Sequence, residues 1–394
     1  MNTKNYNKIY DYLIVGAGII GLTIAYEIKK RNPNAKIIII DKENDVAQHA
    51  SGRNSGILHA GFYYTENSLK AKLTVLGNKK MKDFCYDNGI KVKETKKIVV
   101  AQNKEELEII NELYKRAQKN GVEVSILSSE EVKKIDSNIK TYKKALYSEN
   151  TASVNPKIVC KKLKKVLINK GVKFKFNCKF EDVNFEYKYL INCAGLYADK
   201  IAKQFGLSKN YTILPFKGSY LKYNGAAKIV KTNVYPVPNL KNPFLGVHFT
   251  ITSENDIKIG PTASPAFWRE NYGGFSKFNL KEFCTIIFYQ TKLFILNSFG
   301  FRSLAFEAMK NFLKKNIVNN SAKLVYDIDN NFSNILPGIR AQLLNTKTNE
   351  LVQDFVIEHG KKSTHVLNAV SPAFTCSFSF AEYVIDEMNN KRDN

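Results

Sequence analysis

Two stretches of this 394-residue chain carry residue types at spacings that can do chemistry. The first, Gly16-Ala17-Gly18-Ile19-Ile20-Gly21, matches G-x-G-x-x-G, the turn that binds the pyrophosphate of a dinucleotide when it joins a strand to a helix. Gly16 permits the tight turn, Gly18 lets phosphates approach the amides at a helix start, and Gly21 lets that helix close on the strand. Asp41 follows Gly21 by 20 residues, the distance of an acid that hydrogen-bonds ribose hydroxyls. With Lys42 beside it, Asp41 disfavours a 2′-phosphate, so this pair points to FAD or NAD rather than NADP. The second stretch, residues 51–64 (SGRNSGILHAGFYY), crowds glycines next to His59, Tyr63 and Tyr64. An internal glycine costs a helix about 1 kcal/mol relative to alanine. The segment therefore reads as a loop whose backbone approaches a ligand closely.

The elements that must position these residues follow from periodicity. Residues 11–15 read as a buried strand, 22–31 as a helix and 36–40 as a second strand, a βαβ unit with the glycine turn at its first corner. Helices are expected over 68–88, 105–120 and 156–170, the last two stopping at Asn-Gly and Lys-Gly, where a left-handed cap fits. A short strand is expected at 97–101, and residues 189–195 form an apolar strand leading into a helix that ends near Lys203. From 211 to 261 strands alternate with Pro, Gly and Asn turns, the pattern of a separate antiparallel sheet. Residues 280–315 are helical and aromatic, but too interrupted by polar residues to span a bilayer. The C-terminal part, with SPAFTCSF as a Ser-Pro entry to a last helix, returns to the first domain. The expected fold is α/β with an α+β second domain. Residues 1–90, 150–210 and 331–394 form a discontinuous Rossmann-like domain, and 91–149 and 211–330 form a substrate-binding cap.

Composition narrows the function classes. A hydrophobic content of 44% suits a globular chain of about two domains. The six cysteines never approach a Cys-x-x-Cys spacing, so no zinc site, redox pair or other metal centre is expected. Scattered thiols and the lack of a signal-peptide core predict a cytoplasmic protein. The formal charge of +24 comes from lysines spread along the chain rather than clustered on one face, which argues against nucleic acid as a partner. It favours anionic substrates, and it leaves peripheral attachment to the inner face of the cytoplasmic membrane, through residues 280–315, as the open alternative.

A nicotinamide enzyme usually continues with further βα units, whereas here a Gly/Ser/Asn-rich loop follows the second strand. The chain resembles the L-2-hydroxyglutarate oxidase/dehydrogenase family within the D-amino-acid-oxidase-like FAD-dependent oxidoreductases. The resemblance rests on DYLIVGAGIIGLTIAYEI, SGRNSGILHAGFYYTENSLKAKL, KKIVVA, INCAGLYADKIA, PFKGSYL, VYPVPNLKNPFLGVHFT, GPTASPAFWRENY, LPGIRAQ, DFVIEHG and HVLNAVSPAFT, in order across nearly the whole chain. It implies an FAD domain of Rossmann type capped by an antiparallel or mixed substrate sheet. It also implies that Gly16, Gly18, Gly21 and Asp41 serve the ADP half, and that Ser51, Asn54 and Ser55 line the pyrophosphate and flavin side. Ala194 and Gly195 are then expected to close over the cofactor, with Gly338, Arg340, Ser371, Pro372 and Ala373 bordering the ring.

The implied reaction is oxidation of an L-2-hydroxy acid, L-2-hydroxyglutarate to 2-oxoglutarate, by hydride transfer to flavin N5, with oxygen or a quinone as final acceptor. Such a reaction needs a base for the hydroxyl proton and a cation for the carboxylate. Among five histidines, His59 and His248 fall in matching segments, and the choice of base between them stays open. Arg269 and Arg340 present the bidentate guanidinium fork that carboxylates favour, Lys217 suits a second carboxylate, and Tyr64 is placed to hydrogen-bond substrate. The chain departs from the pattern at Arg53, where relatives carry histidine, and at Val370 and Phe374. An extra cation at Arg53 bears on which acid is accepted. The alternatives are an amino-acid or amine oxidase of the same superfamily and, from a different class, a flavin-containing nucleic-acid-modifying or binding protein.

Overall fold

Four consecutive isoleucines make Ile37–Ile40 a strand buried on both faces, which suits a parallel sheet covered by helices. The computed structural model describes residues 9–225, 228–240, 245–310 and 313–391. Residues 241–244 of VYPVPNLKNPFLGVHFT, 311–312 of the 280–315 stretch, and the chain ends 1–8 and 392–394 lie outside the described residues. Ile37–Ile40 sits in a six-stranded sheet ordered Val356–Gly360, Ser363–Asn368, Tyr187–Asn192, Tyr10–Val15, Ile37–Ile40 and Lys173–Lys175. All neighbours are parallel except the hairpin at Val356–Asn368. Alternation divides the strands between two layers. Ile14, Ile37 and Ile39 pack under the helices Ile19–Arg31, Leu69–Asp87, Pro156–Asn169 and Ser377–Asn390, while Leu13, Val15, Ile38 and Ile40 face Ile201 and Cys178.

The second unit is an eight-stranded sheet ordered Phe332–Asn334, Leu221–Tyr223, Ile257–Gly260, His248–Ile251, Asn233–Pro236, Lys97–Val100, Lys144–Ser148 and Ser125–Ser128. It is antiparallel except where Asn233–Pro236 runs parallel to Lys97–Val100, the seam at which its two chain segments meet. A four-stranded sheet, with Tyr211–Gly218 paired along its length to Gly338–Asn345, packs Ile213, Ile339 and Leu343 against Leu196 and Leu367, and Leu214, Phe216 and Leu344 against Ile286 and Leu293 of the helix Leu280–Leu296.

Several helix ends match their sequence signals, with Gly121 and Gly171 at φ +67° and +82° after the helices Lys104–Lys119 and Pro156–Asn169. Three expectations change. The domain boundary at 331 falls too early, because Phe332–Asn334 and Gly338–Asn345 pair with the cap strands and the chain rejoins the parallel sheet only at Val356. The Ser-Pro step does not open the last helix: residues 371–376 form a turn, and the helix starts at Ser377. The 280–315 stretch is three helices, Leu280–Leu296, Phe301–Lys310 and Lys314–Ala322, with the first break at Asn297 and Phe299, both left-handed.

One ion pair ties these layers together. Asp199 on the helix Ala198–Gln204 accepts from Arg269 at 2.7 and 2.8 Å through both carboxylate oxygens, and from the amide of Ile213 at 3.1 Å. Burial alone would raise the Asp199 carboxyl, but the Arg269 guanidinium outweighs it and holds the group below its ordinary value. The stabilisation is therefore complete above the unfolded carboxylate's value and is lost as pH falls through the lower folded one. Replacing Arg269 with Met strands a buried carboxylate and is expected to cost about 3–5 kcal/mol, read from denaturant unfolding at neutral pH. A loss below 1 kcal/mol would show that the pair does not hold the layers.

Candidate functional site

The carboxyl ends of Tyr10–Val15, Ile37–Ile40 and Tyr187–Asn192 open on a cavity of about 890 Å³, within the range of sites that enclose large ligands. The glycine turn at its edge is held from several sides. Gly16 has φ +108°, and a Cβ there would lie 2.4 Å from the Cys193 carbonyl oxygen. Its amide donates to Ile40 O at 2.8 Å, and the Ala17 amide donates to Asp41 Oδ2 at 2.7 Å. Ser51 Oγ accepts from the Ile19 amide at 2.9 Å and so caps the first turn of Ile19–Arg31. The remaining amides of that turn have no intrahelical partners. Gly16, Gly18, Ile20, Asp41 and Ser51 all border the cavity, while Gly21 lies behind it, where a Cβ would meet Gly16 O at 2.1 Å. Burial raises the Asp41 carboxyl against the pull of its bonds to Glu43 and Ala17. A side-chain-free turn, a helix start and an acid at the next strand end fit the ADP half of a dinucleotide.

Beyond Asp41 the charges neutralise one another. Lys42 bonds Glu43 and lies 2.6 Å from Glu270, and Lys277 reaches Glu43 at 3.0 Å and Glu270 at 2.7 Å. Burial would raise Glu270, yet Lys277 and Lys42 hold it down to about 2. His49 bonds Glu43 at 2.9 Å and the Tyr272 hydroxyl at 2.7 Å. Glu43, His49 and Glu270 come within 4.8 Å of one another, but the two ammonium groups already occupy their carboxylates, so the cluster is an ion-pair network.

Away from that network the cavity gathers His59, Tyr220, Tyr235, His248 and Arg340, and Lys70 also borders it. His59 follows the short strand Ile57–Leu58; its amide donates to Thr375 Oγ1 at 3.1 Å, pinning it to the turn before the last helix. Its Nδ1 lies 3.4 Å from Lys97 Nζ. His248, on the strand His248–Ile251, donates from Nδ1 to Gly246 O at 2.7 Å and stacks on Tyr235 with ring centroids 3.7 Å apart. That bond leaves Nε2 of the neutral ring unprotonated. Burial pushes both imidazoles down, His248 to about 3 and His59 well below its ordinary value. Arg340 donates to Thr262 O at 3.1 Å, with its guanidinium against Gly218, where a Cβ would lie 3.2 Å away. Lys70 is pushed down to about 8 by burial, while Asp354 pulls the other way. Asp354 commits both oxygens to the amides of Leu69 and Lys70, at 2.7 and 3.1 Å.

Of the residues singled out from sequence, Lys42, Arg53, Asn54, Ser55, Ala194, Gly195, Gly338, Ser371, Pro372 and Ala373 also border this cavity. Asn54 does so as a loop staple, bonding Ala50 O, Ser51 O and the Gly56 amide. Four residues stand elsewhere than expected, or point elsewhere. Arg269 is committed to Asp199 and does not border the cavity, so it is no carboxylate clamp. Lys217 bonds Asn271 at 3.4 Å and also lies outside. Tyr64 is half-buried with its hydroxyl on Ser371 and does not border the cavity. Arg53 borders the cavity, but its Nε donates to Gln48 O at 2.8 Å and its guanidinium lies 4.1 Å from the centre of the Tyr272 ring, on the side of the ion-pair network. Sequence reasoning missed Lys70, Lys97, Tyr220 and Tyr235. The signal for Lys97 was present: a lysine opening the strand Lys97–Val100, whose four residues are all buried.

Comparison with known proteins fits this geometry. The model of the family described as FAD dependent oxidoreductase matches residues 11–384. The chain is 33% identical to the mitochondrial L-2-hydroxyglutarate dehydrogenase of Dictyostelium discoideum, covering 98% of this chain and 94% of that protein. It is 34% identical to the L-2-hydroxyglutarate dehydrogenase of Indibacter alkaliphilus, covering 96% and 98%, and 31% identical to that of Escherichia coli, covering 96% and 93%. Among solved structures, dithionite-reduced L-α-glycerophosphate oxidase from Mycoplasma pneumoniae with FAD bound superposes at a TM-score of 0.74 with 21% identity, covering 97% of this chain and 95% of that one. Glycine oxidase from Geobacillus kaustophilus gives 0.71 at 18% identity, with the same coverage.

The Gly16 turn makes a direct prediction. Gly16→Ala places a methyl against the Cys193 carbonyl at a positive φ, at a cost of about 1–3 kcal/mol. The purified variant should carry at least roughly tenfold less FAD at limiting cofactor, read as flavin absorbance per chain, with an unchanged far-ultraviolet dichroism spectrum. Full flavin content would show that the turn tolerates the displacement.

Proposed function

The chain belongs to the family of FAD-dependent oxidoreductases, and from that membership we propose that it oxidises L-2-hydroxyglutarate to 2-oxoglutarate. The observation that carries this reading is that the imidazoles of His59 and His248 lie with Arg340 along one cavity, which Lys70 also borders. Two cations suit a dicarboxylate, and an imidazole suits its hydroxyl. The identity of 31–35% to L-2-hydroxyglutarate dehydrogenases over nearly the whole chain supports the same acid.

Gly16, Gly18, Asp41 and Ser51 would hold the ADP half of FAD, and residues 369–375 with Gly338 would hold the flavin side. Bound FAD supplies an acceptor for the α-hydrogen and its electron pair. Arg340 takes the carboxylate next to the reacting carbon, and Lys70, still mainly an ammonium at neutral pH, takes the distal one. His59 takes the hydroxyl proton: burial keeps the imidazole neutral and therefore able to accept. His248, whose Nδ1–H is held by Gly246 O and whose Nε2 therefore keeps its lone pair, is the second candidate for this base, and burial pushes it to about 3. It forms, with Tyr235, the wall against which the substrate lies.

Anaerobic mixing of the yellow protein with L-2-hydroxyglutarate should bleach the flavin band, while the D enantiomer and amino acids leave it oxidised. Bleaching by an amino acid and not by the L-hydroxy acid would sink the substrate assignment. His59→Asn should slow reduction by roughly 100-fold or more at unchanged FAD content. Arg340→Met should raise the substrate concentration for half-maximal reduction by about 10- to 100-fold, the worth of one charge-assisted pair.

The acceptor side of the proposal lies on the helices Leu280–Leu296 and Phe301–Lys310. They expose Phe288, Ile295, Leu296, Phe306 and Met309 beside Lys281, Arg302 and Lys310. Among the described residues no helix is long and apolar enough to cross a membrane, but apolar side chains ringed by cations suit the surface of an anionic bilayer, where a quinone is within reach. The protein should sediment with phosphatidylglycerol vesicles and not with phosphatidylcholine ones, and Phe288→Ser with Ile295→Ser should abolish this. Failure to bind anionic vesicles at low salt would remove the membrane from the proposal.

A further inference from the structure

Lys97 is fully buried, yet its contacts are one imidazole and aromatic rings. Its Nζ lies 3.4 Å from His59 Nδ1, 4.2 Å from the centre of the Tyr235 ring, 5.1 Å from that of Tyr63 and 5.5 Å from that of Phe62. A buried ammonium ordinarily has a carboxylate partner. The three rings offer only their faces, which stabilise a cation weakly by comparison. The other titratable or charged groups facing the pair are Tyr63 from the same loop, Tyr235 on Asn233–Pro236, His248 on His248–Ile251 and, acting on His248, Arg340 on Gly338–Asn345. None is an acid able to fix the proton on Lys97.

We infer that Lys97 is the positioning residue that sets the tautomer of His59 and receives the proton that His59 takes from substrate. The inference rests on the reading of His59 as base, and the geometry dictates its logic. His59 Nε2 has no hydrogen-bond partner among the described residues, and the residue borders the cavity, so Nδ1 serves Lys97 and Nε2 serves the substrate. A protonated Lys97 donates to Nδ1. The neutral imidazole then carries its proton on Nε2 and cannot act as a base toward the cavity. A neutral Lys97 accepts from Nδ1–H and leaves Nε2 with a free lone pair. As the substrate hydroxyl loses its proton to Nε2, the Nδ1 proton passes to Nζ. The imidazole is neutral before and after, and the single positive charge gained resides on Lys97, which returns its proton to Nδ1 as the Nε2 proton leaves through the cavity. Burial alone pushes Lys97 down to about 7, so the competent neutral amine is populated as pH rises through neutrality.

The test uses the FAD-loaded protein and two readouts. In ¹⁵N-histidine spectra of the wild-type chain, the His59 signal should change from the Nε2–H to the Nδ1–H tautomer as pH rises through about 7. A His59 tautomer that is the same on both sides of this range overturns the inference without any variant. In anaerobic reduction by L-2-hydroxyglutarate, the wild-type rate should rise through a single limb in that range. Lys97→Arg, permanently protonated, should hold His59 in the Nε2–H form and slow reduction roughly tenfold or more at every pH. Lys97→Met should lose the limb, and Lys97→Ala should be partly rescued by a small primary alkylamine with the limb restored. If Lys97→Arg keeps the wild-type rate and limb, Lys97 is only a buried cation and the inference fails while His59 stands as base. If instead His59→Asn reduces as fast as the wild type, the base assignment itself is wrong and the relay falls with it.

Discussion

The contact of the Gly16 turn with the Cys193 carbonyl is the constraint on which the site depends. It lets the ends of the neighbouring strands Tyr10–Val15 and Tyr187–Asn192 close to a distance that no side chain permits at that point. Asp41, at the end of the neighbouring strand, then reaches the Ala17 amide, and Ser51 caps the helix start. These bonds leave helix-terminal amides and a bare backbone at the mouth of the cavity, where anionic phosphate oxygens are favoured by both hydrogen bonding and the helix dipole. The Rossmann-like domain is thus organised around one close backbone approach.

From that point the cavity is divided electrostatically. At the Asp41 end, Glu43 and Glu270 are matched by Lys42 and Lys277, and the acids are held far below neutrality. At the other end the basic groups outnumber the acids: His59, His248, Arg340, Lys70 and, one layer back, Lys97. Burial lowers the affinity of the imidazoles and lysines for protons, and the same low-polarity surroundings strengthen the pull of the Arg340 guanidinium, which keeps its charge, on an anionic ligand. The same physical condition therefore serves both binding and proton transfer.

Much of this was legible along the chain, and particular residues explain why. Ile37–Ile40 announces a doubly covered strand by composition alone, and Asn120-Gly121 and Lys170-Gly171 announce helix ends because the left-handed cap is a local event. Gly16 and Asp41 are readable because their roles are settled within one βαβ unit. Arg269 and Arg340 look alike in sequence, each in a matching motif, yet one is neutralised by Asp199 and the other borders the cavity. Arg53 looks like a specificity residue and instead packs on Tyr272. Nothing near Lys97 in sequence indicates His59, which is 38 residues away.

The sequence by itself determined the glycine turn, its acid, the alternation of buried strands and the loop that carries His59, because each depends on interactions within about one supersecondary unit. Tertiary structure alone decided where the chain re-enters the parallel sheet, which cations remain for a ligand and which imidazole has a partner behind it. The physical reason is range. Backbone conformation answers to near neighbours, whereas the work a charged side chain can do depends on the opposite charge, or the lack of one, that folding brings to it from a distant segment.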